Sequence, residues 1–282
     1  MNAASRTPDP ASPTVADVES FWNAHPLCAF EAPFPVGSRE FFDWHHQVRQ
    51  ADEGQYAGHL YEFDRHNQER VLDVGCGIGW LVWNFARGGA NITGVDLSDN
   101  SLALARKRLD YDGLNAELIK GNAQELPFPD ASFDFATSAG VLHHTPDTQG
   151  SINQIHRVLK PGGRAMISLY YRNWALSPWM WPLTRAAVHF AYGRVPGRTE
   201  FANVRSVEDF ARLFDGNDNP IGKIYTRRQF KALFTAFAIE RIEIHYFPQR
   251  FLSATQNLPA PLRRAVDRCL GLMIYAQLRK DR

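Results

Sequence analysis

Three glycines, Gly75, Gly77 and Gly79, follow directly on the apolar run Val71-Leu-Asp-Val74, and Asp96 stands 21 residues after the first of them. Backbone free of side chains admits a ligand to the main chain. A carboxylate at the end of the next apolar run can accept hydrogen bonds from both hydroxyls of a ribose. Together they read as a site for a ligand containing a nucleoside, whereas the glycines alone would equally serve a tight strand-to-helix turn. Trp80 occupies the position where a dinucleotide loop needs its last glycine to close on a pyrophosphate, so an NAD-dependent oxidoreductase is the weaker reading.

A second group is His143-His144, placed after the apolar run Phe133 to Ser138. An imidazole titrates near about 6.5 and can take a proton at neutral pH, which makes either histidine a candidate catalytic base. The competing reading is a loop in which Thr145 caps the next helix, Pro146 takes its first turn and the histidines pack. Tyr170 and Tyr171 close a further apolar run and are candidates for orienting substrate or for filling the core. Trp174, Trp179 and Trp181, followed by Phe190 and Tyr192, offer large aromatic surfaces for an apolar acceptor pocket or for packing a helix on a sheet. Cys76 lies inside the glycine run and reads as a small turn residue.

The elements that must position these groups alternate. Strands are predicted over Arg70 to Val74, Ile92 to Val95, Glu117 to Lys120, Phe133 to Ser138 and Arg164 to Tyr170. The first helix begins at Trp80, with Leu81 and Phe85 on one face, and stops at Gly88-Gly89. The second is capped by Ser98 and aligns Leu102, Ala105 and Leu109. The third carries Ile152, Ile155 and Leu159 and ends at Lys160-Pro-Gly-Gly163. Alternation predicts an α/β fold, Rossmann-like and doubly wound, with a mainly parallel sheet whose ligand lies at the carboxyl ends of the strands. After Tyr171 the rhythm breaks, then resumes with a helix near Thr226 to Phe234 and a strand from Ile239 to Tyr246. Leu270 to Leu278 would close a seven-stranded sheet.

With these elements in place, VLDVGCGIGW, GVDLSDNSL, GNAQELPFPDASFD, SAGVLHHTPD and RVLKPGGR resemble, in order, the motifs of class I S-adenosylmethionine-dependent methyltransferases. The resemblance spans about residues 70 to 170 and is nearest to the subgroup of ubiquinone and menaquinone C-methyltransferases and small-molecule methyltransferases. It implies S-adenosyl-L-methionine as cofactor, with Gly75, Gly77 and Gly79 passing the methionine part. Asp96 would bind the ribose, Leu97 would pack on adenine, and Asp73 and Ser138 would join the cofactor-binding set. Asn122 and Ala123 stand where the family usually has an Asp-Ala pair beside the adenine amino group, and an amide still offers a carbonyl acceptor there. Ser20 to Leu27 and Phe41 to Trp44 resemble N-terminal helices that cover the cofactor. The implied activity is methyl transfer to a small, partly apolar or aromatic acceptor. Its alternatives are a quinone-type C-methyltransferase and a non-catalytic S-adenosylmethionine binder.

The expected organisation is a tail over 1–13, an N-terminal helical cap over 14–66 and a cofactor-binding core over 67–171. An inserted aromatic lid over 172–223 precedes the rest of the core over 224–282. With 44% hydrophobic and 22% charged residues, the 282-residue chain has the composition of a globular protein. Its 31 basic and 30 acidic residues leave +1, so no global field draws it to nucleic acid. The basic segment Arg250 to Arg282 reads as a solvated face. Cys28, Cys76 and Cys269 are too few and scattered for a disulfide framework or a metal knuckle, which points to a reduced, cytoplasmic protein with no metal. The apolar stretch Trp174 to Gly193 is interrupted by Pro178, Pro182 and Arg185, which argues against stable membrane insertion.

Overall fold

Arg70 is exposed while Val71 to Val74 are buried, as expected of a strand covered on both faces. In the computed structural model, which describes residues 13–192, 200, 203–247 and 259–281, this strand is β1 (Arg70–Val74), near the centre of a seven-stranded sheet. The other strands are β2 (Asn91–Asp96), β3 (Glu117–Lys120), β4 (Phe133–Ala139), β5 (Leu159–Tyr170), β6 (Phe237–His245) and β7 (Met273–Lys280). Their order is β3-β2-β1-β4-β5-β7-β6. The first five run parallel, and β7 lies antiparallel between β5 and β6.

The chain winds outward through β1, β2 and β3 and then returns to place β4 on the other side of β1. Between β1 and β4 the strand order reverses, leaving a crevice beyond the carboxyl ends where ligands bind in such sheets. Register aligns Val74 with Val95 and Asp73 with Thr137, so the segments after β1, β2 and β4 emerge at one edge.

Helices α1 (Val15–Ala24) and α2 (Arg39–Tyr61) precede the sheet. One face is covered by α2 and α3 (Trp80–Arg87), and α4 (Asp99–Tyr111) adds Leu109. The opposite face is covered by α5 (Thr148–Val158) and α8 (Arg227–Ala232), through Ile152, Ile155, Val158 and Phe230. Between these two come α6 (Trp181–Tyr192) and α7 (Val207–Leu213), and α9 (Ala260–Leu270) precedes β7. No helix among the described residues is long and apolar enough to cross a membrane.

Local expectations shift at three places. The helix predicted through Leu159 ends at Val158, and Leu159 opens β5. Lys160 to Gly163 form an irregularity within that strand: Phe133 pairs with Leu159 and Phe135 with Arg164. Thr145 does not cap α5. Its hydroxyl donates to Leu142 O at 2.7 Å, and Asp147 supplies the cap by accepting from Gly150 N at 2.8 Å.

The inserted segment divides into unlike parts. Trp174, Trp179 and Phe190 are 50%, 72% and 75% exposed, whereas Val204, Val207, Phe210 and Phe214 are buried in the main core. The aromatic-rich half thus lies outward and the later half packs. The Tyr192 side chain, the tail over 1–12 and most of the basic segment before Pro259 lie outside the described residues.

Candidate functional site

The three glycines after β1 serve three purposes. A Cβ on Gly75 would stand 2.3 Å from Val141 Cγ1, and one on Gly79 would stand 2.8 Å from the Ala105 Cβ. These two permit close packing of the β4 loop and of α4. A Cβ on Gly77 would meet nothing within 4 Å, and Gly77 lines a cavity at the carboxyl edge of the sheet, so its missing side chain leaves ligand space. Its φ of +51° also favours glycine. Gly79, expected to contact cofactor, lies outside the cavity lining and acts through helix packing.

The Asp96 carboxylate sits on the wall of this cavity. Gly77 N donates to Oδ2 and Ser98 N to Oδ1, both at 2.8 Å, which fixes the group at the end of β2. Burial pushes its pKa up, opposed by these backbone donors. The remaining oxygen lone pairs can accept from a diol. Asp73 lies deeper, is buried, and its Oδ1 has no hydrogen-bond partner. Burial and the adjacent Asp96 charge raise its pKa to about 8. A buried carboxyl facing a cavity with an unsatisfied oxygen suits a cationic or hydrogen-donating ligand.

Leu97, Asn122 and Ala123 line the same cavity. Asn122 Oδ1 accepts from Gln124 N at 3.0 Å, which turns part of its acceptor capacity toward its own loop. The Ser138 hydroxyl, by contrast, donates to Val74 O at 2.9 Å inside the sheet, away from the cavity.

The roof comes from the N-terminal helices. Val18 and Trp22 of α1, then Leu27, and His45 and Arg49 of α2 line the cavity. Asn23 anchors α1 by accepting from the Ser98 hydroxyl at 3.0 Å and, at its carbonyl, from Asn100 Nδ2 at 2.8 Å. Trp22 and Leu27 fall within Ser20 to Leu27, the segment whose resemblance pointed to a cover, whereas Val18, His45 and Arg49 carried no signal in the sequence.

The two histidines separate. His143 is fully buried, and its Nδ1 accepts from Tyr170 N at 3.3 Å. Burial holds its pKa well below the ordinary imidazole value, with the His144 and Lys223 charges adding to the effect. It does not line the cavity. His144 does line it, with Nδ1 2.6 Å from Ile221 O and Nε2 2.9 Å from Asp215 Oδ2. Asn219 Nδ2 also lies 3.4 Å from Nδ1, so both ring nitrogens are engaged by protein groups.

Asp215 had no local signal in the sequence. The Tyr170 hydroxyl donates to its Oδ2, completing a Tyr170–Asp215–His144 chain. Asp215 also lines a second cavity, which shares Leu27, Arg49, Ala139, Gly140 and Asp215 with the first. Arg49 is held by Glu53, at 2.8 and 3.1 Å, and its guanidinium lies 4.6 Å from the Trp80 ring centroid. Tyr170 lines the second cavity together with Phe214, Tyr246, Met273 and Tyr275.

The other aromatic candidates are not brought there. Tyr171 packs in the opposite core cluster, and Trp174 and Trp179 stack on one another at the surface. Trp181 donates its indole N–H to Arg205 O at 3.3 Å. None lines either cavity.

Residues 72–167, which contain β1, the glycine loop, Asp96 and the histidines, match the family described as a methyltransferase domain. Over 98 residues the chain is 44% identical to a demethylmenaquinone methyltransferase of Listeria welshimeri, covering 33% of this chain and 42% of that protein. Over 112 residues it is 38% identical to a ubiquinone biosynthesis O-methyltransferase of Pseudomonas aeruginosa, covering 37% and 46%. The chain therefore spans less than half the length of these curated relatives. The fold is also that of an S-adenosylmethionine-dependent methyltransferase from Mesorhizobium loti, with a TM-score of 0.53, 20% identity, and 82% of this chain and 100% of that chain covered. Residues 72–167 supply the floor of the first cavity. Residues outside that stretch, in α1, α2, the segment after α7 and the ends of β5, β6 and β7, supply the roof and most of the second cavity.

Proposed function

We propose that this chain is an S-adenosylmethionine-dependent methyltransferase acting on a small, partly apolar acceptor. The observation that carries the reading is the shared wall of the two cavities at Arg49, Gly140 and Asp215. In this assignment Asp96 accepts from the ribose hydroxyls, and Leu97 and Ala123 flank the adenine with Asn122 near its edge. Gly77 leaves room for the methionyl chain, whose ammonium meets the unsatisfied Asp73 oxygen. The donor and cavity chemistry fits: a diol acceptor, a site for a cation and apolar walls are all present.

The bound cofactor supplies an electrophilic methyl group on a sulfonium. The chain's own part is alignment, which can contribute about 7 to 11 kcal/mol in well-oriented reactions of this type. Gly140 and Ala139 keep the shared wall thin, Trp22 and Leu27 exclude water from above, and Arg49 closes the side. Asp215, with Tyr170, stands where an acceptor's proton would leave, and His144 holds that carboxylate in place.

The acceptor cavity combines Phe214 and Met273 with the phenols of Tyr170, Tyr246 and Tyr275. That mixture suits a ring-bearing molecule with hydroxyl or carbonyl groups. Glu31, Asp52, Glu53 and Asp215 outnumber Arg49 on its walls, which disfavours an anionic acceptor. The quinone-pathway names of the relatives agree in chemistry with such a molecule.

The test is calorimetric binding of S-adenosylmethionine, followed by mass-spectrometric detection of methylated product from a panel of phenols and quinols. Tight binding with turnover on neutral phenolic acceptors is expected. Failure to bind, or preference for a nicotinamide dinucleotide, would overturn the cofactor assignment. Binding without turnover on any acceptor would favour a non-catalytic binder.

A further inference from the structure

At the C-terminal end of α2, three potential metal ligands converge from two elements. His59, on the last turns of α2, places Nε2 3.2 Å from both oxygens of Glu243 on β6. His245, two residues further along β6 and on the same side of the strand, places Nε2 3.1 Å from Glu243 Oε2. The three ligand atoms lie within 4.8 Å of one another.

These separations match an ion-binding arrangement. Ligands about 2.0 to 2.1 Å from a tetrahedral ion stand about 3.3 Å apart. Asp267, buried on α9, accepts from His245 Nδ1 at 2.9 Å, and its other oxygen accepts from Phe247 N at 2.8 Å. A carboxylate on Nδ1 fixes the tautomer that turns the Nε2 lone pair outward, which is the usual support of a metal-binding histidine. Tyr56 stacks on the same ring at 4.2 Å and 15°, setting its plane. Arg241 Nε contacts Glu243 Oε1 at 2.9 Å and leaves Oε2 as the oxygen nearest His245.

We propose that His59, Glu243 and His245 bind one borderline divalent transition ion of the zinc, cobalt and nickel class, with water completing the coordination. Two imidazoles and one carboxylate suit such an ion better than magnesium or calcium, which prefer oxygen ligands. Binding requires neutral imidazoles and an ionised carboxylate, so affinity should fall at acid pH. The ion would tie the end of α2 to β6, the edge strand of the sheet, while Asp267 brings in α9. The second titratable cluster, His143, His144 and Asp215, belongs to the site already described.

The experiment uses the full chain, stripped with a chelator and titrated with Zn²⁺ alone by calorimetry, with Co²⁺ absorption as a report of tetrahedral geometry. One ion per chain is expected, with a rise in thermal midpoint on binding. His59 is 43% exposed at its side chain, so His59→Ala should keep the fold while weakening Zn²⁺ binding at least tenfold. Asp267→Asn should keep the one-to-one stoichiometry but weaken affinity about 10- to 100-fold, as expected of a residue that positions a ligand. No Zn²⁺ binding by the stripped wild-type chain overturns the proposal. Undiminished binding in both His59→Ala and Glu243→Gln, each checked for an unchanged fold by circular dichroism, also overturns it.

Discussion

Asp215 Oδ2 stands 2.9 Å from His144 Nε2, and this pair lies on the boundary of both cavities through Asp215. In the proposed mechanism the acid–base role falls to Asp215, a carboxylate from a distant segment, in place of the histidines that sequence motifs suggested. If Asp215 receives the acceptor's proton, Asp215→Asn should lower kcat by about 100-fold or more, as loss of a general base does. Cofactor affinity should stay within about threefold. Unchanged turnover in Asp215→Asn would show that the acceptor needs no base. His143→Gln, by contrast, should act mainly on folding, by about 1 to 3 kcal/mol, because the ring is fully enclosed.

Asp96→Ala should weaken S-adenosylmethionine binding about tenfold to several hundredfold, since two charge-assisted hydrogen bonds of roughly 1.5 to 3 kcal/mol each would be lost in part. Calorimetry on the folded variant measures it. An unchanged dissociation constant would remove the ribose assignment.

Asp73 predicts a pH dependence. Its folded-state pKa of about 8 lies above the ordinary carboxyl value, so the folded apo chain holds a proton that the unfolded chain releases. The resulting stability is complete below about pH 4 and is lost as pH rises toward 8, by at most roughly 1.4 kcal/mol per pH unit. Asp73→Asn should flatten this loss in denaturant titrations of the apo protein. Docking of an ammonium group would expel the proton, so calorimetry at pH 7 in two buffers of different ionisation enthalpy should detect proton release in the wild type and none in Asp73→Asn.

The two halves of the insertion should respond differently to truncation. Trp179→Ala, at a 72% exposed position, should change stability by no more than about 0.5 kcal/mol and leave the acceptor KM unchanged. Phe214→Ala removes a buried ring that also lines the second cavity, and should destabilise by about 3 to 5 kcal/mol while raising the acceptor KM in the surviving fold. A large KM increase in Trp179→Ala would restore the aromatic half as a lid.

Gly77→Val and Gly79→Val should separate ligand space from packing. Gly77→Val should abolish most cofactor affinity, because its side chain enters the cavity. Gly79→Val should destabilise the fold, because its Cβ meets Ala105 on α4. Equal loss of affinity at equal stability in both would mean that the loop is one rigid ligand-binding unit.

The alternation of strands and helices, the glycine turn and Asp96 at the end of β2 were legible in the sequence because each depends on contacts within about 30 residues. Apolar periodicity and a βαβ unit are local patterns. The resemblance to methyltransferases extended the cofactor reading along the same stretch. What the sequence could not disclose is which residues meet across long separations. Asp215 reaches His144 across 70 intervening residues, with no motif of its own. Val141 and Ala105 decide what Gly75 and Gly79 are for. The aromatic side chains of the insertion suited a pocket and a surface equally well by type. Their exposure followed from the packing of Val207, Phe210 and Phe214, which took the core-facing positions instead. Burial is a property of the folded chain as a whole, so composition alone could not assign it.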